Sequence, residues 1–298
     1  MTERLSFQDQ IRNNKIKSVV LMFSIIVIFI ILGYVIAMIL DPGLFFVIMI
    51  ISIIFSIGYT IFSYYNSDKI ALASVKARPA DKIAHRMLFN AVESMSLASG
   101  LPMPKVYVME SEQINAFASG RDPQHAVICF TTGALQKLNK QELEGVVAHE
   151  MSHIANYDIR FMTLTAVMIG IISILAEIFL RSLWFSGDRD SKGGAILILL
   201  GILFAILAPI SAQLVSLAIS RKREFTADAT AVKFTRYSPG LSSALKKIKN
   251  EHVSPKDKHH YSAAMAPLFI SNPFKKKFSG LFSTHPDIDV RIARLEKM

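Results

Sequence analysis

The sequence predicts an integral membrane protein, mainly α-helical, with four transmembrane helices in two hairpins and a small β-sheet in its water-facing part. Three observations carry this. Apolar residues make up 52% of the 298 residues and charged ones only 19%, against roughly 45–50% and about 25% in soluble domains. The apolar residues gather into four long stretches. The basic residues cluster beside the ends of those stretches. The same composition excludes disorder, since there is ample apolar surface to bury. With 14 Gly and 11 Pro it also excludes collagen-like and low-complexity classes, and the single cysteine, Cys129, excludes a disulfide scaffold.

The first uncharged stretch runs from Ser18 to Leu40 and the second from Leu44 to Asn66, with Asp41-Pro42-Gly43 between them. At ~1.5 Å rise per residue, each exceeds the ~30 Å hydrocarbon core of a bilayer. Asp-Pro-Gly is strong turn chemistry, so the two form a hairpin. The first stretch is too long for a signal-peptide core and lacks a small-residue cleavage site, which makes it a retained anchor. A second hairpin follows. Phe161–Leu180 is apolar apart from Glu177, Ala195–Ile219 is uncharged and contains Pro209, and the polar loop from Arg181 to Gly194 joins them. Glu177 and Arg181 are spaced for an interfacial helix pair. The alternative for this second hairpin is a buried helical pair in the globular part.

Orientation follows from Lys and Arg near the spans. Arg4, Arg12, Lys15 and Lys17 precede the first. Lys69, Lys76, Arg78, Lys82 and Arg86 follow the second, and Arg221, Lys222 and Arg223 follow the fourth. The loop at 41–43 has no basic residue, and Asp188 and Asp190 offset those of the loop at 181–194. Both termini and the polar mass are therefore expected in the cytoplasm. The net charge of +10 is mostly this bias plus Lys275, Lys276 and Lys277. No recognition module accompanies that run, so no nucleic-acid partner is expected; the bilayer is the partner. The chain divides into 1–66 (N-terminal segment and first hairpin), 67–160, 161–220 (second hairpin) and 221–298.

In the water-facing parts, residues 80–99 have helical periodicity and Gly100 is a natural stop. Lys105–Met109 and His125–Thr131 read as strands, with a turn at 120–123. Gln141–Tyr157 reads as a helix, and Glu142 and Glu144 suit its first turn.

That helix contains His149-Glu150-Met151-Ser152-His153. Two histidines at i and i+4 lie on one helix face and can grip one ion, while Glu150 sits about 100° round the helix, placed to take a proton from an activated water. Zinc suits such a site, which uses three protein ligands and keeps one position open. Glu224 is expected to be the third ligand. Asp228, one turn on, can accept the free ring N–H of a liganding histidine and fix its tautomer. The two ligand groups lie 71 positions apart, on either side of the second hairpin. An up-down helix pair brings both to the same membrane surface, in a zincin-like protease domain facing the cytoplasm. A non-enzymatic scaffold with a structural metal is the competing reading, and it has no use for Glu150 beside the open position. A transporter would want charges and broken helices within the spans, where only Glu177 and Pro209 occur.

These motifs identify a resemblance. The two hairpins, the His149–His153 motif extended by Asn156 and Asp158, Glu224 with Asp228, Asn115-Ala116-Phe117-Ala118, and Thr284-His285-Pro286 with Arg291 resemble the HtpX family of bacterial membrane-bound zinc proteases. A more distant similarity is to the CAAX prenyl proteases. The resemblance covers nearly the whole chain. It implies one Zn²⁺ per chain and an ATP-independent endopeptidase of the bacterial inner membrane, acting in stress response and protein quality control on misfolded or damaged membrane proteins and unfolded polypeptides. It also implies a role for Asn115, Ala116 and Phe117 beside the substrate, and one for His285 near the active site. From the residues alone, Asn115 reads either as part of a peptide-binding strand edge or as a loop Asn making its own turn. His285 reads either as an oxyanion donor or as a cap before Pro286. Arg291 is expected to pair with a carboxylate.

Overall fold

The computed structural model describes residues 7–39, 42–168, 170, 201, 221–251, 265, 267–271 and 286–298. Apart from its first turns and isolated positions, the expected second hairpin lies outside the described residues, and so does His285.

Helix α1 (Phe7–Ile39) and helix α2 (Phe45–Tyr65) are joined by a 3-10 turn at Pro42–Leu44. Both are long and apolar enough to cross a membrane, over Ile11–Tyr34 and Phe45–Tyr65. Helix α1 begins well ahead of Ser18 and carries Arg12, Lys15 and Lys17 within it. A charge-free window marks the part suited to lipid, whereas Arg, Lys and Gln are good helix formers and let the helix run on. The rings of Phe55 and Tyr59 lie edge-on to Phe29 at 5.4 and 5.3 Å. A Cβ on Gly33 would fall 2.0 Å from Ser52 Oγ, so the close crossing of the helices needs glycine there. The outer face of α2 leaves Phe46 77% and Ile54 67% exposed, a face made for lipid rather than water.

The water-facing part opens with α3 (Ser67–Ser74), β1 (Arg78–Pro79) and α4 (Arg86–Ser99), which Gly100 ends in the left-handed conformation at φ 70°. Helix α4 starts later than the periodicity at 80 suggests. The Asp81 carboxylate accepts the Ile83 and Ala84 N–H groups at 2.9 and 2.7 Å and holds 81–85 as a separate turn. Strands β2 (Lys105–Met109), β3 (Ala116–Gly120) and β4 (Ala126–Thr131) complete a mixed sheet in the order β1-β2-β4-β3. Strands β2 and β4 are parallel and the other pairs antiparallel. The strand expected from His125 begins at Ala126, because Pro123–His125 is a 3-10 turn capped by Asp122.

Helices α5 (Thr132–Lys137) and α6 (Lys140–Ala155) follow, then α7 (Arg221–Thr235), α8 (Ser238–Asn250) and α9 (Ile288–Leu295). A capping box opens α6: the Asn139 side chain accepts the Glu142 N–H, and the Glu142 carboxylate accepts the Asn139 N–H. One core joins Leu88 and Val92 of α4, Ile128 and Phe130 of β4, Val146 and Met151 of α6, Ala231 of α7, Leu245 of α8 and Ile292 of α9. The polar segments 67–160 and 221–298 therefore share one hydrophobic core. Gly145 lets α8 lie directly on α6, since a Cβ there would come within 2.6 Å of Leu241 N. Helix α1 joins the assembly as well. Its Leu21, Ile25 and Phe29 pack on Phe161, Leu164 and Met168 of the helical segment 158–168.

Candidate active site

Helix α6 is buried along most of its length and delivers His149, Glu150 and His153 into the interior, each no more than 4% exposed. Helix α7 brings Glu224 against them. The two Nε2 atoms stand 3.2 Å apart. Glu224 Oε2 is 3.6 Å from His149 Nε2, and Glu224 Oε1 is 3.7 Å from His153 Nε2. One ligand atom from each residue falls within 4.8 Å of the others, a group that could hold a metal ion. Two donors bound at ~2.0–2.1 Å to one tetrahedral ion stand ~3.3 Å apart, so the two histidine nitrogens stand at coordination spacing, with one Glu224 oxygen facing each of them.

The outer nitrogens are held in place. Asp228 Oδ1 lies 3.0 Å from His149 Nδ1, and Asp158 Oδ2 lies 3.0 Å from His153 Nδ1. Both rings thus turn Nε2 inward, with the carboxylates on the opposite nitrogens. Asp158 follows Tyr157, whose φ of 58° is costly for an aromatic residue and makes the bend that returns the chain to His153. Burial pulls the His153 imidazole down, but the Asp158 hydrogen bond and the Glu224 and Glu150 carboxylates push it up to about 9. The field at this point favours a cation.

Arg291, 1% exposed, reaches in from α9. Its Nε and Nη2 grip Asp228 at 2.9 and 2.7 Å, its Nη1 lies 3.2 Å from Glu224 Oε2, and the same Nη1 donates to the Ile270 carbonyl. The expected carboxylate partner of Arg291 is thus Asp228, with Glu224 beside it. Burial pushes the Asp228 carboxyl up, yet Arg291 and the His149 hydrogen bond hold it well below the usual range. Arg223 Nε approaches Asp158 Oδ1 at 3.8 Å, and its guanidinium covers the Phe161 ring. Four buried carboxylates, Glu150, Asp158, Glu224 and Asp228, thus face two buried guanidiniums, Arg223 and Arg291. Carboxylates outnumber guanidiniums in this cluster, and buried charges are paired or coordinate metals.

Glu150 does not belong to the ligand group. Burial raises its carboxyl above the ordinary range and Glu224 adds to this, while the two histidines act against it. The carboxylate accepts the Ala118 N–H, which sets it against strand β3. The segment singled out by the sequence therefore lies beside Glu150, but Asn115 is 1% exposed and not on an open edge. Its Nδ2 donates to the Ser271 carbonyl at 3.0 Å, its Oδ1 accepts the Ala116 N–H at 3.1 Å, and the Ser271 N–H faces Oδ1 at 3.4 Å. Ala116 accepts the Ile270 N–H through its carbonyl, and Phe117 is buried edge-on to Phe269 at 5.5 Å. Residues 270–271 thus cover the start of β3. His285, expected near the site, lies outside the described residues.

Two contributors have no signal of their own in the sequence: Arg223 reads as a basic flank, and Asn14 as one polar residue among basic ones.

The model of peptidase family M48 matches residues 82–298. The "Protease HtpX homolog" of Caldanaerobacter subterraneus subsp. tengcongensis is 45% identical over 305 residues, covering 100% of this chain and 99% of that one. The protein of the same name from Thermoanaerobacter pseudethanolicus is 47% identical over 251 residues, covering 82% and 83%. Among solved structures, the crystal structure of S. mikatae Ste24p is similar with a TM-score of 0.49 and 20% identity, over 95% of this chain and 66% of that one. With the M48 pattern spanning α6, α7 and α9, which carry the buried histidines, carboxylates and Arg291, the chain belongs to the HtpX-type metalloproteases of peptidase family M48.

Proposed function

We propose that the chain is a zinc endopeptidase that hydrolyses peptide bonds of misfolded or damaged membrane proteins at the cytoplasmic face of the inner membrane. The observation that carries this reading is the buried group of His149, His153 and Glu224, whose ligand atoms all lie within 4.8 Å of one another. His149, His153 and Glu224 hold the ion, and Asp228 and Asp158 orient the histidines. Zinc bound there supplies Lewis acidity towards the scissile carbonyl and makes water easier to deprotonate.

Glu150 takes the proton of the attacking water and passes it to the leaving nitrogen. Its raised carboxyl suits both halves of that transfer better than an ordinary glutamate would. An extended substrate is taken up beside β3, whose Ala118 backbone meets Glu150. Asn115 holds Ser271 at the start of that strand and so bounds the substrate's course. His285 is assigned to the oxyanion. The lipid-suited faces of α1 and α2 and the distribution of basic residues support a membrane setting with both termini in the cytoplasm.

The chain purified in detergent should contain about one zinc, and a chelator should abolish hydrolysis of an unfolded membrane protein. Glu224→Ala leaves two protein ligands, below the catalytic set of three, and should purify largely metal-free. Full zinc retention in that variant would remove Glu224 from the site.

A further inference from the structure

Helix α1 does more than pass beside the catalytic part. Its first turns precede the uncharged stretch, and there Asn14 is only 5% exposed although Arg12 and Lys15, within two positions of it, are exposed. The Asn14 Nδ2 group donates to Asp158 Oδ1 at 2.7 Å and to the Asn156 carbonyl at 3.0 Å. An amide NH₂ has two donors, and these two contacts use both. The Asn156 carbonyl belongs to the C-terminal end of α6, where helix carbonyls lack partners within the helix. The Asp158 carboxylate is the one whose other oxygen lies 3.0 Å from His153 Nδ1.

We propose that Asn14, on the membrane-anchor helix, is a positioning residue of the metal site: it fixes the Asp158 carboxylate in the rotation that orients the His153 ring. A carboxylate can swing about its Cβ–Cγ bond, and anchoring one oxygen sets the direction of the other. Asn14 anchors Oδ1; Arg223, 3.8 Å from the same oxygen, is too distant for a hydrogen bond and lends charge rather than direction. Two further contacts hold the Asn14 amide where it is. Lys15 Nζ sits 4.3 Å from the centroid of the Tyr157 ring, at the left-handed bend just before Asp158. Leu21 and Ile25 lock the next turns of α1 onto Phe161 and Leu164. The anchor and the metal site are thereby joined across 144 positions of sequence by one side chain.

The inference rests on the zinc reading given above, and the test separates the two. Zinc affinity is measured by chelator competition on the full chain in detergent, for wild type, Asn14→Ala, Asn14→Gln and Leu21→Ala. Outer partners of metal-liganding histidines are typically worth 10–100-fold in metal affinity. Asn14→Ala should weaken zinc binding by at least about 10-fold and lower kcat with KM unchanged, because the misplaced group is a ligand and not a substrate contact. Asn14→Gln keeps a donor but moves it by one methylene. Its affinity should fall between the two, and it keeps the test available if the alanine variant does not fold. Leu21→Ala loosens the docking of α1 without touching Asp158 or Asn14 directly, so it should lower thermal stability and weaken zinc binding clearly less than Asn14→Ala does. Wild-type affinity in whichever Asn14 variant folds would overturn the proposal. So would an equal loss in Leu21→Ala, which would mean that docking alone matters. A wild-type chain with no affinity for zinc would instead overturn the metal site itself.

Discussion

Arg291→Met tests whether the C-terminal helix is part of the site's charge balance. Methionine has similar reach and is apolar, so the change removes charge and donors while keeping most of the volume. The wild-type guanidinium is 1% exposed and holds Asp228 through two hydrogen bonds of 2.9 and 2.7 Å, with Glu224 at 3.2 Å. Without it the buried carboxylates lose a compensating cation, and Asp228 keeps only His149 as a close partner among the described residues. Breaking a buried pair by removing one member costs about 3–5 kcal/mol. At roughly 2–4 °C per kcal/mol for a domain of this general size, the midpoint of thermal unfolding should fall by about 6–20 °C. Cys129 provides the assay. It is the single cysteine and 0% exposed, so a thiol-reactive fluorophore reports unfolding in detergent without interference. Arg291→Lys keeps the charge but loses the paired geometry, and should fall between wild type and Met. A midpoint within about 2 °C of wild type in Arg291→Met, less than 1 kcal/mol by the same scale, would refute the view that this guanidinium neutralises the cluster.

Other outcomes follow from the same geometry. Reporter fusions at Gly43 and Gly193 should locate outside the cytoplasm and one after Met298 inside; a cytoplasmic report at Gly193 would mean that the second hairpin does not span. Glu142→Ala removes the capping box of α6 together with the contacts to Lys247 at 2.6 Å and Ser243 at 2.8 Å, and should destabilise by about 1–2 kcal/mol at neutral pH. Burial raises the Glu142 carboxyl, but the hydrogen bonds from Lys247, the Glu142–Asn139 capping contact and Ser243 bring it below the usual range. A depressed carboxyl stabilises the fold above its unfolded value near ~4.3 and loses that contribution as pH falls through the folded value. Denaturation curves of wild type and Glu142→Ala should therefore converge in acid; a constant gap from pH 7 to 3 would contradict this.

Much of the site was legible because it depends on helix geometry. Histidines at i and i+4 share a face in any α-helix, so the facing of His149 and His153 can be read before any fold is known. Glu224 and Asp228 can be read the same way, one turn apart on a helix 71 positions further along the chain. Strand β3 was not legible. Ala-Phe-Ala-Ser-Gly is poor in β-branched residues; small side chains there suit close packing under α6, a tertiary reason that no local pattern reveals. Asn14 was hidden for a related cause, since a lone asparagine among basic residues looks like a solvated face until α1 is docked on 158–168. The position of Asn115 was half legible. Its segment stands out in the sequence, but its burial against Ser271 depends on a contact 156 positions away.

The central claim is that Glu150 moves the proton while His149, His153 and Glu224 hold the zinc, and Glu150→Gln tests it most directly. The amide has nearly the same volume and can still meet Ala118, but it cannot accept the water's proton. Zinc content and hydrolysis of an unfolded membrane protein are measured on the same purified samples. The account predicts about one zinc per chain with activity reduced by 10²–10⁴-fold or more, the usual weight of general-base assistance and roughly 3–5 kcal/mol of barrier. A variant that retains zinc and cleaves at the wild-type rate would contradict it, and a variant that loses its zinc would make Glu150 a ligand rather than the base.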